Sequence, residues 1–257
     1  MVVRAGSNRR PSAFQEALLV HTGPSLPAEQ GQLRVKVVAT SQVTAAFHSR
    51  LRHLHWMRDT RTVTSAVAQY TTRPLTPDTW ADFAALVEAN NGVWGGCWCI
   101  GFHPEGISKD STAAGNREAK LAHVNNGTNH QILIYRGGRC VGWCQYGPPA
   151  EVATIKNPKA YQKDLAQLPD WRIGCLFTGA GYRRKGVARA GVAAALAAVK
   201  QAGGGLVEAY PEQVAGRDPQ RGAYLHTGPE SLFEEFGFVR DRRIAKWRWV
   251  MRLRISA

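Results

Sequence analysis

The sequence predicts an α/β (α+β) domain over residues 70–257, a mixed, largely antiparallel sheet with helices on both faces. Three observations predict it. Residues 131–135 and 139–146 are apolar strand patterns separated only by Arg136-Gly137-Gly138, a turn that makes them an antiparallel hairpin. Residues 172–178 form a buried-strand pattern followed by a glycine-broken turn, an alanine-rich helix and another short strand. In the last segment Trp247, Trp249, Met251, Leu253 and Ile255 alternate with Lys246, Arg248, Val250, Arg252 and Arg254. That period of two predicts an antiparallel strand with one apolar and one wet, mostly basic face.

In chain order, Thr76-Pro77-Asp78 is a helix-start signal, and Trp80, Phe83, Ala84 and Val87 share one face before Asn90-Asn91-Gly92 ends the run. A loop rich in Gly, Cys and Trp follows to about Gly106, and a second helix is expected over residues 116–124, stopped by Asn125-Asn126-Gly127. Past the hairpin, residues 150–170 read as an irregular insertion with a short helix. Val187 to Ala202 is a helix dominated by alanine, the strongest helix former, and Gly203-Gly204-Gly205 stops it. Leu206 to Tyr210 is a strand, Thr227-Gly-Pro-Glu230 a capping box, and Ser231 to Phe238 a helix ending in Gly-Phe.

Residues 1–69 match none of this. They carry scattered Ser, Thr, Pro, Arg and His with little amphipathic period, and are expected to be a poorly ordered N-terminal extension. An accessory element, a start at Met57 and an Arg-rich transit peptide are the other readings.

Composition narrows the class. Of 257 residues, 44% are hydrophobic, enough for a real core, and no apolar run reaches membrane-spanning length. Five cysteines, Cys97, Cys99, Cys140, Cys144 and Cys175, are an odd number in a chain too large for a disulfide-stapled miniature, which fits a reducing, cytoplasmic setting. Their spacing lacks the two-residue interval of zinc knuckles, so no metal is expected. The net charge of +14 is spread out, with +6 in the first 70 residues and +8 in the rest. It suits a polyanionic ligand as well as nucleic acid, and the basic alternation of 246–254 has its tryptophans on the opposite face, so nucleic acid is not expected. Usage rich in Arg, Ala and Gly hints at a GC-rich bacterial source. Oligomeric state is not readable.

The hexapeptide Arg183-Arg184-Lys185-Gly186-Val187-Ala188 opens the alanine-rich helix. The first amides of a helix lack internal partners and lie at the positive end of its dipole, so an anion there gains hydrogen bonds and charge stabilisation together. Gly186 leaves the chain open to close approach, and Arg184 and Lys185 add positive charge at the mouth.

With Tyr182 just before it, the pattern Arg-x-x-Gly-x-Ala after a strand resembles the acyl-coenzyme A signature of the GNAT superfamily of N-acetyltransferases. The strand 206–210, the helix ending at Gly237-Phe238 and a closing hairpin follow in that family's order; the Gly-Cys-Trp-Cys segment is similar to a poorly characterised bacterial branch. The resemblance implies acetyl-CoA as co-substrate and direct transfer of its acetyl group to an amine of a small molecule or peptide. It implies that Leu176, Phe177 and Thr178 pair with the pantetheine arm, that residues 184–188 hold the pyrophosphate beside Arg183, and that an amide near Phe177 or Thr178 polarises the thioester.

Where many members carry a tyrosine as general acid, this chain has Phe233. Tyr224, His226 and Tyr210 are the substitutes, and Glu208 or His226 the candidate base. Equally, Glu208 pairs only with a neighbouring arginine, and the thiolate takes its proton from water. Trp94, Trp98, Phe102 and His103 are candidates for acceptor contact. The missing tyrosine also motivates a second reading, a catalytically silent acyl-CoA-binding sensor or scaffold.

Overall fold

The computed structural model describes residues 69–216 and 222–257; the expectations for the N-terminal extension up to residue 68, Met57 included, lie outside the described residues. The strands are β1 (Thr71–Pro74), β2 (His130–Arg136), β3 (Arg139–Gly147), β4 (Trp171–Thr178), β5 (Gly205–Ala209), β6 (Val239–Ala245) and β7 (Arg248–Ile255). The helices are α1 (Trp80–Glu88), α2 (Ala113–Asn125), α3 (Pro158–Gln162), α4 (Val187–Gln201) and α5 (Glu230–Glu234).

The strands form one sheet in the order β1-β2-β3-β4-β5-β7-β6. Every neighbouring pair is antiparallel except β4 and β5. Helices lie on both faces, as the patterning requires. Phe83, Ala84 and Val87 of α1 and Val124 of α2 bury against Leu133, Trp143 and Phe177 on one face. Val192, Ala195 and Val199 of α4 and Leu232 and Phe233 of α5 bury against Cys144, Leu176, Val207 and Met251 on the other. No described helix is long and apolar enough to cross a membrane.

Two expectations change, and one strand is unexpected. The wet face of β7 is largely covered: Arg248 and Val250 are buried, and only Arg254 stands in solvent. Tyr161 of α3, from the insertion, covers that face with Tyr210 and Ile244. The capping box at Thr227 does not form. Pro229 is the N-cap of α5, and the Thr227 hydroxyl instead accepts from Arg248 at 2.9 Å. Strand β1 has no period to betray it, because its four residues are all exposed and an edge strand needs only backbone pairing with β2.

Two irregularities shape the centre. In β4, Gly174 and Cys175 together stand opposite the single residue Gln145, a bulge between the pairs Tyr146–Ile173 and Cys144–Leu176. The parallel contact of β4 with β5 covers only Trp171–Val207, Arg172–Glu208 and Ile173–Ala209. Past the bulge β4 no longer pairs with β5, so its inner edge opens onto a cleft.

Candidate active site

The bulge decides which β4 groups face that cleft. The Leu176 amide donates to the His226 carbonyl at 2.6 Å, whereas the Gly179 amide donates to Val141 of β3 at 2.8 Å. Backbone groups alternate sides along a strand, so Leu176 and Thr178 present N–H and C=O to the cleft while Phe177 faces β3. Of the two amides that the sequence puts forward for the thioester, Thr178 therefore faces the cleft and Phe177 faces β3, while the Leu176 amide, on the cleft side, is taken by the His226 carbonyl.

A cavity of about 410 Å³ lies against this edge. Leu176, Phe177, Thr178, Arg183, Arg184 and Ala188 line it together with Trp94, Leu225, Gly228 and Pro229. Six of the nine residues expected to hold the acyl carrier thus stand around one space. Gly186 is the N-cap of α4 at φ 85°, a left-handed conformation that glycine adopts without strain. Lys185 departs from expectation: its ammonium turns back to the Gly181 carbonyl at 2.8 Å, and its own carbonyl accepts from Tyr70 at 2.8 Å. Val187 is buried, its side chain against Gly142 of β3, so of its groups only the backbone can serve an anion. The charge at the mouth therefore comes from Arg183 and Arg184 and the N-terminal end of α4.

The catalytic candidates separate sharply. Glu208 is fully buried and its carboxylate is saturated. It accepts from Tyr161 and Tyr210, each at 2.8 Å, and from Arg252 at 2.7 and 2.9 Å, with Arg242 at 3.8 Å. Arg172 extends the network by donating to the Tyr161 hydroxyl at 2.9 Å. A carboxylate holding two arginines and two phenols has no lone pair left for a water, so Glu208 is corrected from base to buried counter-ion. Tyr210 is spoken for by the same network, and burial and the Glu208 charge push its phenol well above the usual range. Tyr224 stands 60% exposed on the short turn Gly222–Leu225. His226 sits at the junction, its carbonyl on Leu176 and its ring 4.7 Å from Trp94 and 5.9 Å from Phe102. Phe233 is wholly buried against Phe238 and the Gly228 turn, so no proton donor occupies that position.

The acceptor-wall candidates also divide. Trp94 is 43% exposed and lines the cavity, and Phe102 is half-buried beside His226. Trp98 is a core residue, stacked on Trp80 at 5.9 Å with Arg117 over its ring at 5.5 Å. His103 is buried against Lys120, its Nε2 3.2 Å from the ammonium nitrogen, and burial first, then Lys120 and His123, push its pKa down to about 2. Neither can touch an acceptor. The loop's apolar residues look alike in sequence; the backbone separates them. From Asn91 to Gly96 six consecutive residues are left-handed, with φ between 44° and 84°, which turns Trp94 outward while Trp98 goes in.

Sequence reasoning missed Gly228 and Pro229, whose segment it reads as a helix cap, Leu225, and Tyr70, which steadies the basic turn from outside every recognised pattern.

No curated protein matches the chain. Among solved structures, it is similar to a protein assigned to the GNAT family from Desulfovibrio desulfuricans (18% identity, 72% of this chain and 98% of that one, TM-score 0.43). It is also similar to the ribosomal-protein-S18-alanine N-acetyltransferase of Escherichia coli (11%, 73% and 95%, 0.41). A third is Arabidopsis thaliana NAA60 in complex with acetyl-CoA (13%, 72% and 99%, 0.40). The family model described as Acetyltransferase (GNAT) family matches residues 83–227, more than half of the chain. That span runs from α1 through the bulged strand and the basic turn to the segment carrying His226, and the chain belongs to the GNAT family of acetyltransferases.

Proposed function

We propose that the chain is an acetyl-CoA-dependent N-acetyltransferase in which an amine attacks the thioester carbonyl directly. The supporting observation is the single cavity that joins the open edge of β4, Arg183 and Arg184 at the start of α4, and Trp94 beside His226. In this reading Leu176 and Thr178 run along the pantetheine arm, and the two arginines with the first amides of α4 meet the pyrophosphate. While the His226 carbonyl holds Leu176, the Thr178 amide is the donor to the thioester oxygen, a role worth about 3 kcal/mol.

Neutralising the amine and protonating the departing thiolate fall to His226, whose neighbours Trp94 and Phe102 bound the acceptor. Tyr224 is the second donor, on the same segment. The acceptor is an amine on a small molecule or peptide, and the setting cytoplasmic, where the five free thiols stay reduced.

The test is calorimetric titration with acetyl-CoA, followed by release of free coenzyme A thiol across a broad amine panel. Saturable binding with amine-dependent thiol release supports the proposal. Binding without release from any amine would leave the silent sensor reading in its place, and no binding would remove both.

A further inference from the structure

A second cavity, of about 380 Å³, shares no lining residue with the one along β4. Its walls are α1, the turn between β2 and β3 with the first residues of β3, and the 179–182 turn that leads out of β4. Phe83, Ala84 and Val87 turn the other face of α1 into the core, so Ala85 and Ala89, one helical turn apart, are left exposed toward this space with Leu86 beside them. Small residues there leave the room that the cavity occupies. The turn is held by the Tyr182 amide on the Gly179 carbonyl at 3.1 Å, and a methyl group on Gly179 would stand 3.3 Å from Leu86 Cδ1, so α1 rests directly on it.

This cavity carries both signs of charge, and they do not meet. The buried Tyr135 donates its phenol to Asp82 Oδ2 at 2.8 Å, which fixes the carboxylate, and Arg73 stands off at 4.0 Å from the same oxygen. Among the described residues Asp82 Oδ1 accepts no hydrogen bond. Arg139, at the start of β3, is exposed and forms no ion pair among the described residues, with Asp82 or with any other carboxylate. The two charges belong to one end of the cavity, because Tyr135, which holds Asp82, stands opposite Cys140 in the β2–β3 ladder and Arg139 is the next residue. From that end Ala85, Leu86 and Ala89 run toward Asn90, with the Tyr182 ring on another wall. A fixed carboxylate and an unanswered guanidinium at the head of an apolar groove match a ligand that presents an ammonium and a carboxylate close together on a hydrocarbon body.

We propose that this cavity is a binding site for an apolar α-amino acid, held as its zwitterion. The ammonium donates to Asp82 Oδ1, the carboxylate accepts from Arg139, and the side chain lies along Ala85, Leu86 and Ala89 against Tyr182. Specificity comes from needing both charges at once: a ligand without the ammonium leaves its carboxylate near Asp82, and one without the carboxylate sets its ammonium beside Arg139. The 179–182 turn runs on into Arg183 and Arg184, so the ligand rests on the back of the basic turn without entering the cavity along β4. The site is built from groups that acetyl transfer does not use, and it stands whether or not the other cavity takes acetyl-CoA.

The test is calorimetric titration of the full chain with L-leucine. Saturable binding is expected, weakened at least about tenfold by Arg139→Gln and by Asp82→Asn. Leucinamide, which lacks the carboxylate, and 4-methylpentanoate, which lacks the ammonium, should each bind the natural chain at least about tenfold more weakly than leucine. The isomer 6-aminohexanoate, with its charges at opposite ends, should also bind more weakly. Leucine should still bind in saturating acetyl-CoA. No saturable binding, a single-charge analogue or the isomer binding as tightly as leucine, or affinity that neither substitution lowers would overturn the proposal. Loss of leucine binding in acetyl-CoA would place the ligand in the other cavity and overturn it too. The Arg139 side chain is exposed and makes no hydrogen bond among the described residues, so Arg139→Gln should keep the fold and decides alone if Asp82→Asn does not fold.

Discussion

At the scale of single residues, Gly186 and Glu208 make opposite predictions. Gly186→Glu places a side chain at φ 85°, costing about 1–2 kcal/mol of strain, while a carboxylate at a helix start returns part of it. The fold should therefore survive. The same carboxylate repels a pyrophosphate, so calorimetry should show acetyl-CoA affinity falling by at least about tenfold, with the melting temperature little changed. Glu208→Gln removes one of the two carboxylates that answer Arg242 and Arg252, Asp241 remaining beside both, and a loss of about 3 kcal/mol or less is expected on denaturant unfolding. Normal stability with acetyl transfer abolished would restore Glu208 as a base. The sequence displayed this glutamate on the right strand and beside the right arginines. It could not show that Tyr161, from the irregular segment before β4, takes up one of the remaining lone pairs.

At the scale of elements, the loop between α1 and α2 depends on its glycines by contact as well as by handedness. A methyl group on Gly96 would stand 2.4 Å from the Ala113 side chain and 2.9 Å from its Cα, at the first residue of α2. Gly96→Ala should cost roughly 2–4 kcal/mol, combining overpacking with the left-handed strain. Ala113→Gly in the same chain should recover only the contact part, which paired denaturation curves would separate. The helices and most strands were legible because hydrophobic period and glycine stops agree over Trp80–Glu88, Val187–Gln201 and the β2–β3 hairpin. The turn over Asn91–Gly96 was not, since six successive left-handed residues including Val93 and Trp94 contradict local preference and are held by backbone hydrogen bonds such as Gly96 N–H to the Val93 carbonyl and by the Asn116 amide on the Gly96 carbonyl. The candidate site divides the same way. The basic turn and β4 were readable from a motif, while the wall built by Leu225, Gly228 and Pro229 exists only through tertiary contact.

At the scale of the molecule, two histidines make stability depend on pH in opposite senses. His103 is held neutral with its value depressed to about 2, so below pH 6.5 the unfolded chain binds a proton that the folded one refuses. Stability falls as pH falls, by at most about 1.4 kcal/mol per pH unit. His130 is raised by its hydrogen bond to Glu151, so its contribution is present below pH 6.5 and is lost as pH rises through the folded value. Denaturant unfolding at pH 5 and 7.5 should show the His103 effect dominating, and His103→Phe should flatten or reverse the trend. A natural chain equally stable at both pH values would show that His103 carries its proton.

The short seam between β4 and β5 also gives the sheet a mechanical character. Three residue pairs join two plates, one made of β1 to β4 and the other of β5 to β7. At one end the seam is clamped by Asp170, which exchanges hydrogen bonds with Leu206, and by the Glu208 network. At the other it is bridged through the His226 carbonyl on Leu176. Tension across the sheet would part the strands at the Leu176 end first, while the longer antiparallel ladders of β2 with β3 and β6 with β7 stay whole.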